Sequence, residues 1–256
     1  MTTMSTLPED LAGRVALVTG GSRGIGRATC LALAARGAAV LVHYHASQAA
    51  AGEVVAAIQA RGGRAVAIAA DLLEPDAGAR LVAAAQKSLG PVDILVNNAG
   101  EFSRAAVAEL PDALWERTLA LNLTSPFRCA RACIPPMLAR GWGRIVNVSS
   151  QAAYTGSANH AHYAAAKAGL LGFSFSLAKE LGPAGITVNA VMPGRIATDM
   201  LAGDLPERRA EWLRQTPLGR LGTPEEVAAA IAFLASGAAG YITGAVLQVG
   251  GGLVMG

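Results

Sequence analysis

The chain has 256 residues, of which 52% are hydrophobic and 15% charged, with a formal net charge of +3. That apolar content excludes a disordered chain and suits one α/β domain. A small net charge without any run of five or six basic residues argues against a nucleic-acid partner.

Cys30, Cys129 and Cys133 are too few and too scattered for a disulfide framework or a zinc site, and no metal is expected. Cys129 and Cys133 read as small buried residues sharing a helix face. The opening "MTTMSTLPEDLAGR" has neither the basic start nor the apolar core of a secretory signal, so a cytoplasmic location is expected, with residues 1–10 flexible.

Along the chain, short apolar runs alternate with longer amphipathic ones. Strands are expected at 14–20, 38–44, 64–70, 92–98, 143–150, 185–192 and 244–250. Helices fill the intervals, at about 24–36, 47–61, 74–89, 111–140, 161–182 and 224–235. The stretch 111–140 is expected to hold two helices, broken near Asn122 or Pro126. Strands this apolar are covered on both faces, as in parallel sheets. The expected fold is therefore α/β, a doubly wound Rossmann-like domain with a seven-stranded parallel sheet spanning 1–256. Segment 194–217 is the least regular and reads as a substrate loop. From Val227 to Gly256 no residue is charged, but the glycines at 237, 240, 244 and 250–252 divide it into helix, turn, strand and tail. No membrane span is expected.

The first strand runs into "TGGSRGIGR", where Gly20, Gly24 and Gly26 follow the spacing G-x-x-x-G-x-G at a strand-to-helix turn. Glycine permits positive φ and lets backbone N–H groups approach a phosphate, to which the following helix presents its positive end. An acid that would hold an adenosine ribose is missing from the end of the second strand, where Tyr44 stands instead. Arg23 within the turn is placed to meet a 2′-phosphate, assisted by Tyr44, His45 and Ser47, which makes NADP(H) the expected cofactor. Further on, "HYAAAKAG" sets Tyr163 four residues before Lys167, one of three lysines in the chain, on one helix face. An ammonium beside a phenol favours the phenolate and brings the proton within catalytic reach of neutral pH.

"TGGSRGIG", "NNAG" (97–100), Ser150, "YAAAK" (163–167) and "PGRIATDM" (193–200) together resemble the short-chain dehydrogenase/reductase family, in order, from about residue 11 to 252. Within it the chain most resembles the 3-oxoacyl-acyl-carrier-protein reductase-like group. The resemblance implies a catalytic tetrad of Asn122, Ser150, Tyr163 and Lys167. In it, Tyr163 is the proton donor, Ser150 holds the carbonyl oxygen, Lys167 holds the nicotinamide ribose and Asn122 orders a relay water. Taken alone, Asn122 also suits a helix cap or kink. Ser149 competes with Ser150, but a strand alternates its faces and the family spacing to Tyr163 selects Ser150.

Cofactor contacts implied by the resemblance include Ser22 and Ile25 in the turn, Asp71 and Leu72 after the third strand, and Asn98, Ala99 and Gly100 behind the ribose. Pro193, Gly194, Ile196 and Thr198 lie around the nicotinamide. Asn97 is expected to brace strands. His160, His162, Glu101 and Phe102 flank the site, with Glu101 and Phe102 expected to line a substrate pocket. The implied activity is reduction of a small carbonyl compound to an alcohol by a homotetramer. An NAD-linked alcohol or sugar-alcohol dehydrogenase, and a dinucleotide-binding protein without catalysis, are the alternatives. Two departures stand out: Val249-Gly-Gly-Gly252 replaces an expected "VDGG", and Gly141 and Ala184 occupy places where carrier-protein reductases tend to be basic.

Overall fold

A computed structural model describes residues 10–202 and 205–255. The tail expected to be flexible lies outside these residues except for Asp10, which the Arg36 guanidinium holds at 2.5 and 2.8 Å. All seven apolar runs become strands: β1 (Val15–Val18), β2 (Ala39–Tyr44), β3 (Ala65–Ala69), β4 (Ile94–Asn97), β5 (Gly143–Val148), β6 (Ile186–Pro193) and β7 (Val246–Val249). They form one parallel sheet in the order β3-β2-β1-β4-β5-β6-β7. The chain winds outward through β2 and β3, then returns to the other side of β1. That reversal opens a crevice at the carboxyl ends of β1 and β4, where ligands of such sheets bind.

Alternation along each strand feeds two cores. Ala16, Val18, Val40, Val42, Ile94 and Val96 face one side, and Leu17, Leu41 and Leu95 face the other. The helices are α1 (Gly24–Ala35), α2 (Gln48–Gln59), α3 (Ala77–Ser88), α4 (Asp112–Leu119), α5 (Ser125–Arg140), α6 (Ala152–Thr155), α7 (Ala161–Leu181), α8 (Asp199–Ala202), α9 (Leu205–Gln215) and α10 (Pro224–Leu234). Cys30 and Leu33 of α1, Val54 and Ile58 of α2 and Ile231 of α10 cover the first face. Leu81 of α3, Cys129 and Cys133 of α5 and Leu177 of α7 cover the second. Each such Leu, Ile or Val stabilises the fold by roughly 1.5–3 kcal/mol.

Two expectations need adjustment. The stretch 111–140 does hold two helices that part at Asn122, but not by a break in helicity: a π turn over Ala120–Thr124 joins α4 to α5. Pro126 contributes to it, since proline has no N–H for the carbonyl of Asn122 four residues back and crowds that carbonyl. Nor is 194–217 irregular: it contains α8 and α9. Trp212 of α9 is buried, with the guanidiniums of Arg195 and Arg208 each 5.3 Å from its ring. The charged residues of "LPERRAEWLRQ" disguised a helix that buries Trp212.

Beyond α10 the apolar segment turns at Gly237–Ala239 and ends in the half-buried edge strand β7. Among the described residues, no helix is long and apolar enough to cross a membrane.

Candidate active site

The glycine turn is fixed from three sides. Gly20 and Gly24 take φ of +63° and +51°, in the region that side chains disfavour. A Cβ on Gly26 would lie 2.0 Å from the Gly20 carbonyl oxygen and 2.6 Å from Asn98 Nδ2, so only hydrogen fits. Asn98 Nδ2 donates to the carbonyls of Thr19 and Gly20 at 2.9 and 3.1 Å, while Thr19 Oγ1 accepts from the amides of Asn98 and Ala99 at 3.0 Å. Ser22 is buried, Ile25 packs into the first core, and Arg23 is exposed at the N-cap of α1. Thr198 crosses above the turn, 3.3 Å from where a Cβ on Gly24 would stand.

The other expected cofactor residues surround the same crevice. Tyr44 ends β2 half-buried, His45 is exposed, and Ser47 precedes α2. After β3, Asp71 Oδ1 accepts the Leu73 amide at 2.9 Å. The Leu72 side chain lies in the second core and that of Ile196 in the first, so only their backbones are available to a ligand. Pro193 ends β6, and Gly194 passes so close to Gly250 that a Cβ would stand 2.6 Å from its Cα. Asn97 donates to Asn147 Oδ1 at 2.8 Å, bracing β4 against β5 as expected.

A third residue fixes the turn and went unnoticed in the sequence. His43, 2% exposed within β2, takes the Gly20 N–H on Nδ1 at 3.0 Å, while its Nε2 lies 3.1 Å from the Ala70 carbonyl. The one available signal was an imidazole inside "AAVLVHY", a strand otherwise apolar up to Tyr44.

The four residues of the expected tetrad converge beside this turn from β5, α7 and the π turn. Ser149 turns away and donates to the Lys167 carbonyl at 2.9 Å, while Ser150 Oγ accepts the Ala152 amide at 3.2 Å and acts on the Tyr163 phenol, favouring its ionised form. Tyr163 and Lys167 are 7% and 4% exposed, one turn apart on α7. Lys167 Nζ donates to the Val148 carbonyl at 2.9 Å and lies 5.7 Å from the Tyr163 ring centroid. Asn122 Nδ2 donates to the carbonyls of Thr118 and Glu101, at 3.1 and 3.2 Å. Its Oδ1 is buried and accepts no protein hydrogen bond. Gly100 separates Asn122 from Lys167: a Cβ there would stand 2.5 Å from Asn122 Oδ1 and 3.5 Å from Lys167 Nζ.

Burial sets the electrostatics. It pushes the Lys167 ammonium down to about 8. The Tyr163 phenol is pushed up by burial, with the Ser150 hydrogen bond opposing. The expected lowering of the phenol by the lysine is thus outweighed in this structure, where Lys167 points its charge at a carbonyl and not at the hydroxyl.

Around the tyrosine, Phe102 stacks on His160 at 3.9 Å and meets the Tyr163 ring edge-on at 4.9 Å. His162 is buried with Nε2 3.0 Å from Ser103 Oγ. Glu101 pairs with Arg117 at 3.2 Å. Among the described residues, no cluster of His, Cys, Asp and Glu could hold a metal ion.

A dinucleotide fits what is present. The turn has backbone N–H groups at a helix start, glycines where a Cβ would meet backbone, and an exposed arginine at its mouth.

Comparison with known proteins agrees with this arrangement. A family profile described as enoyl-(acyl carrier protein) reductase matches residues 20–254. The chain is 46% identical to a 3-oxoacyl-[acyl-carrier-protein] reductase of Synechocystis, over 96% of this chain and 98% of that protein. It is 42% identical to an acetoacetyl-CoA reductase of Allochromatium vinosum, over 94% and 99%. Among solved structures, it resembles a putative NAD(P)-dependent gluconate 5-dehydrogenase from Beutenbergia cavernae with bound NADP, with a TM-score of 0.91 and 38% identity, covering 96% of this chain and 99% of that one. Taken with the glycine turn, the convergent quartet and the doubly wound sheet, these matches place the chain in the short-chain dehydrogenase/reductase family, in its 3-oxoacyl-acyl-carrier-protein reductase-like group, as an oxidoreductase.

Proposed function

We propose that this protein is an NADPH-dependent carbonyl reductase that interconverts a ketone and a secondary alcohol, with Tyr163 as the proton donor. The observation that carries the reading is the buried Tyr163–Lys167 pair, one turn apart on α7 beside Ser150, next to a glycine turn built for a dinucleotide. The relatives named as 3-oxoacyl and acetoacetyl-CoA reductases support a β-keto substrate, and the NADP-bound structural neighbour supports the cofactor.

Gly20, Ser22, Gly24 and Gly26 would cradle the pyrophosphate, Arg23 the 2′-phosphate, and Asp71 the adenine. Thr198 and the backbone of Ile196 would hold the nicotinamide. The bound dinucleotide supplies the hydride. Ser150 positions the carbonyl oxygen and stabilises the charge that develops there. Tyr163 gives its proton to that oxygen. Lys167, held near 8, keeps most of its ammonium at neutral pH and so favours the transient phenolate. Asn122 Oδ1, free of protein partners and set across Gly100 from Lys167 Nζ, is an acceptor suited to hold the water through which Lys167 recovers a proton from solvent. In reverse the same groups remove a proton from an alcohol, the direction in which the dehydrogenase-named neighbours suggest a second use.

The protein would act as a cytoplasmic homotetramer built from a single domain. Exposed Phe127 and Phe175 on the long helices, with Phe233, Tyr241 and Met255 near the β7 edge, are apolar groups that symmetric association would cover. Oxidation of NADPH and of NADH with a panel of β-ketoesters, diketones and aryl ketones is the test. Turnover of a β-ketoester with NADPH preferred is expected; no turnover of any ketone, or preference for NADH, overturns the reading.

A further inference from the structure

We propose that His43 is a positioning residue for the cofactor: it holds the glycine turn to the β3–α3 loop only as a neutral imidazole, and thereby makes dinucleotide affinity acid-sensitive. The proposal rests on the glycine turn being the dinucleotide site.

Two bonds leave one tautomer. Nδ1 lies 3.0 Å from the Gly20 amide nitrogen, and an amide only donates, so Nδ1 carries the lone pair. Nε2 therefore carries the proton and donates it to the Ala70 carbonyl at 3.1 Å. A third link runs through the backbone, where Gly21 N–H donates to the His43 carbonyl at 2.7 Å. One strand residue thus fixes the orientation of two successive amides in the phosphate turn. Through Ala70 it also joins that turn to the residue preceding Asp71, at the far end of the same site. Its strand neighbours Val42 and Tyr44 pack with the first core, on the face of β2 opposite His43.

An imidazolium cannot accept the Gly20 N–H. Protonation would set two N–H groups against each other at 3.0 Å and leave the turn without this anchor. Burial opposes that protonation and holds the ring below its ordinary range, against the Ala70 bond and Asp71, which favour the charged form. The titratable groups that act on the ring are His45 further along β2 and Asp71 after β3, and the buried Cys30 of α1 turns its thiol to the Gly21 carbonyl. For a histidine lowered in the folded state, stability is present above the unfolded value of 6.5 and is lost as pH falls through the folded one.

The test is calorimetric titration of the full chain with NAD+ and NADP+ between about pH 8 and pH 5.5, with kcat read at saturating cofactor. NAD+ is the decisive probe, since it lacks the 2′-phosphate that titrates in the same range. Because burial holds the folded ring below the ordinary histidine value of 6.5, wild-type affinity for NAD+ should stay level near neutral pH and fall severalfold only toward about pH 5.5. At pH 8, His43→Phe should weaken both dinucleotides by about tenfold alike and leave kcat within about twofold. His43→Asn, whose amide oxygen can take the Gly20 N–H, should recover most of that affinity and bind NAD+ with no acid dependence. The wild-type pH profile and the Asn variant serve if the Phe variant does not fold. A flat wild-type profile overturns the proposal, as does a Phe variant that binds NAD+ normally or loses kcat with unchanged affinity. A wild-type chain that binds neither dinucleotide overturns the cofactor reading first, and the role of His43 with it.

Discussion

The two halves of the site are built on opposite energetic terms. In the glycine turn every constraint is satisfied: Asn98, Thr19 and His43 each make two or more hydrogen bonds, Gly20 and Gly24 take positive φ, and Gly26 sits where only hydrogen fits. The quartet is the reverse. Lys167 is a buried cation pushed to about 8, Tyr163 is a phenol whose ionisation is opposed by burial, and Asn122 keeps a buried oxygen without a protein partner. Buried polar groups of that kind cost stability and persist where function needs them. Damage to the turn should therefore reduce both folding and binding, whereas damage to the quartet should remove turnover and leave the fold as stable or more so.

The largest effect is expected at Tyr163. Tyr163→Phe keeps the ring against Phe102 and deletes only the hydroxyl, so kcat should fall by about 10³ or more, while melting temperature and NADPH affinity stay close to wild type. Retention of more than about a tenth of kcat would remove Tyr163 from the chemistry.

Next comes Gly26→Ala, whose methyl would collide with the Gly20 carbonyl, which is backbone, as well as with the Asn98 carboxamide that holds the turn. Chemical denaturation should show a loss of about 3 kcal/mol, with the dinucleotide site lost alongside. An unchanged midpoint would mean that the turn is looser than its geometry indicates.

Lys167→Met separates the two halves most sharply. Folding releases a proton from Lys167 between its unfolded value of 10.5 and about 8, so the lysine opposes folding throughout the range below. Removing it relieves about 3 kcal/mol, and losing the bond to the Val148 carbonyl takes back about 1 kcal/mol. The variant should be inactive yet more stable at neutral pH by about 2 kcal/mol in denaturant melts. In the wild type, the same shift predicts that kcat declines as pH rises through about 8, where the ammonium is lost. A destabilised Lys167→Met variant would contradict this account of the quartet.

The smallest effect belongs to the exposed rim. Arg23→Ala should raise the KM for NADPH by about five- to tenfold and leave that for NADH nearly unchanged, without effect on stability. Equal losses for the two cofactors would place the 2′-phosphate elsewhere.

Much of this was legible in the sequence, and what was missed follows a physical pattern. The strands were readable because burial on both faces leaves continuous apolar runs such as "VDILVNN", and the glycine spacing because positive φ and close approach admit few other residues. Ser150 was separable from Ser149 by strand alternation and spacing, and the two side chains do point apart. His43 was hidden because its partners are backbone groups of the glycine turn and the β3–α3 loop, which no local pattern records. The α8–α9 segment was misread because the buried ring of Trp212 stands among charged residues, with arginine guanidiniums against it. The lysine–tyrosine electrostatics were overstated because sequence shows the spacing of two groups but not how deeply each is buried.

The π turn over Ala120–Thr124 stores part of the site in a residue count as well as in residue identities. A π turn holds one residue more than the α turn it replaces. Deleting any one of the four residues that flank Asn122 in this turn would let the helix close into regular α geometry, with α4 and α5 still able to pack on the same neighbours. The carboxamide of Asn122 would then swing about a quarter-turn or more around the helix axis, away from Gly100 and Lys167. A helix of ordinary regularity here would be sound architecture aimed in the wrong direction, and every substitution at Asn122 would act within an orientation that this one surplus residue has already set.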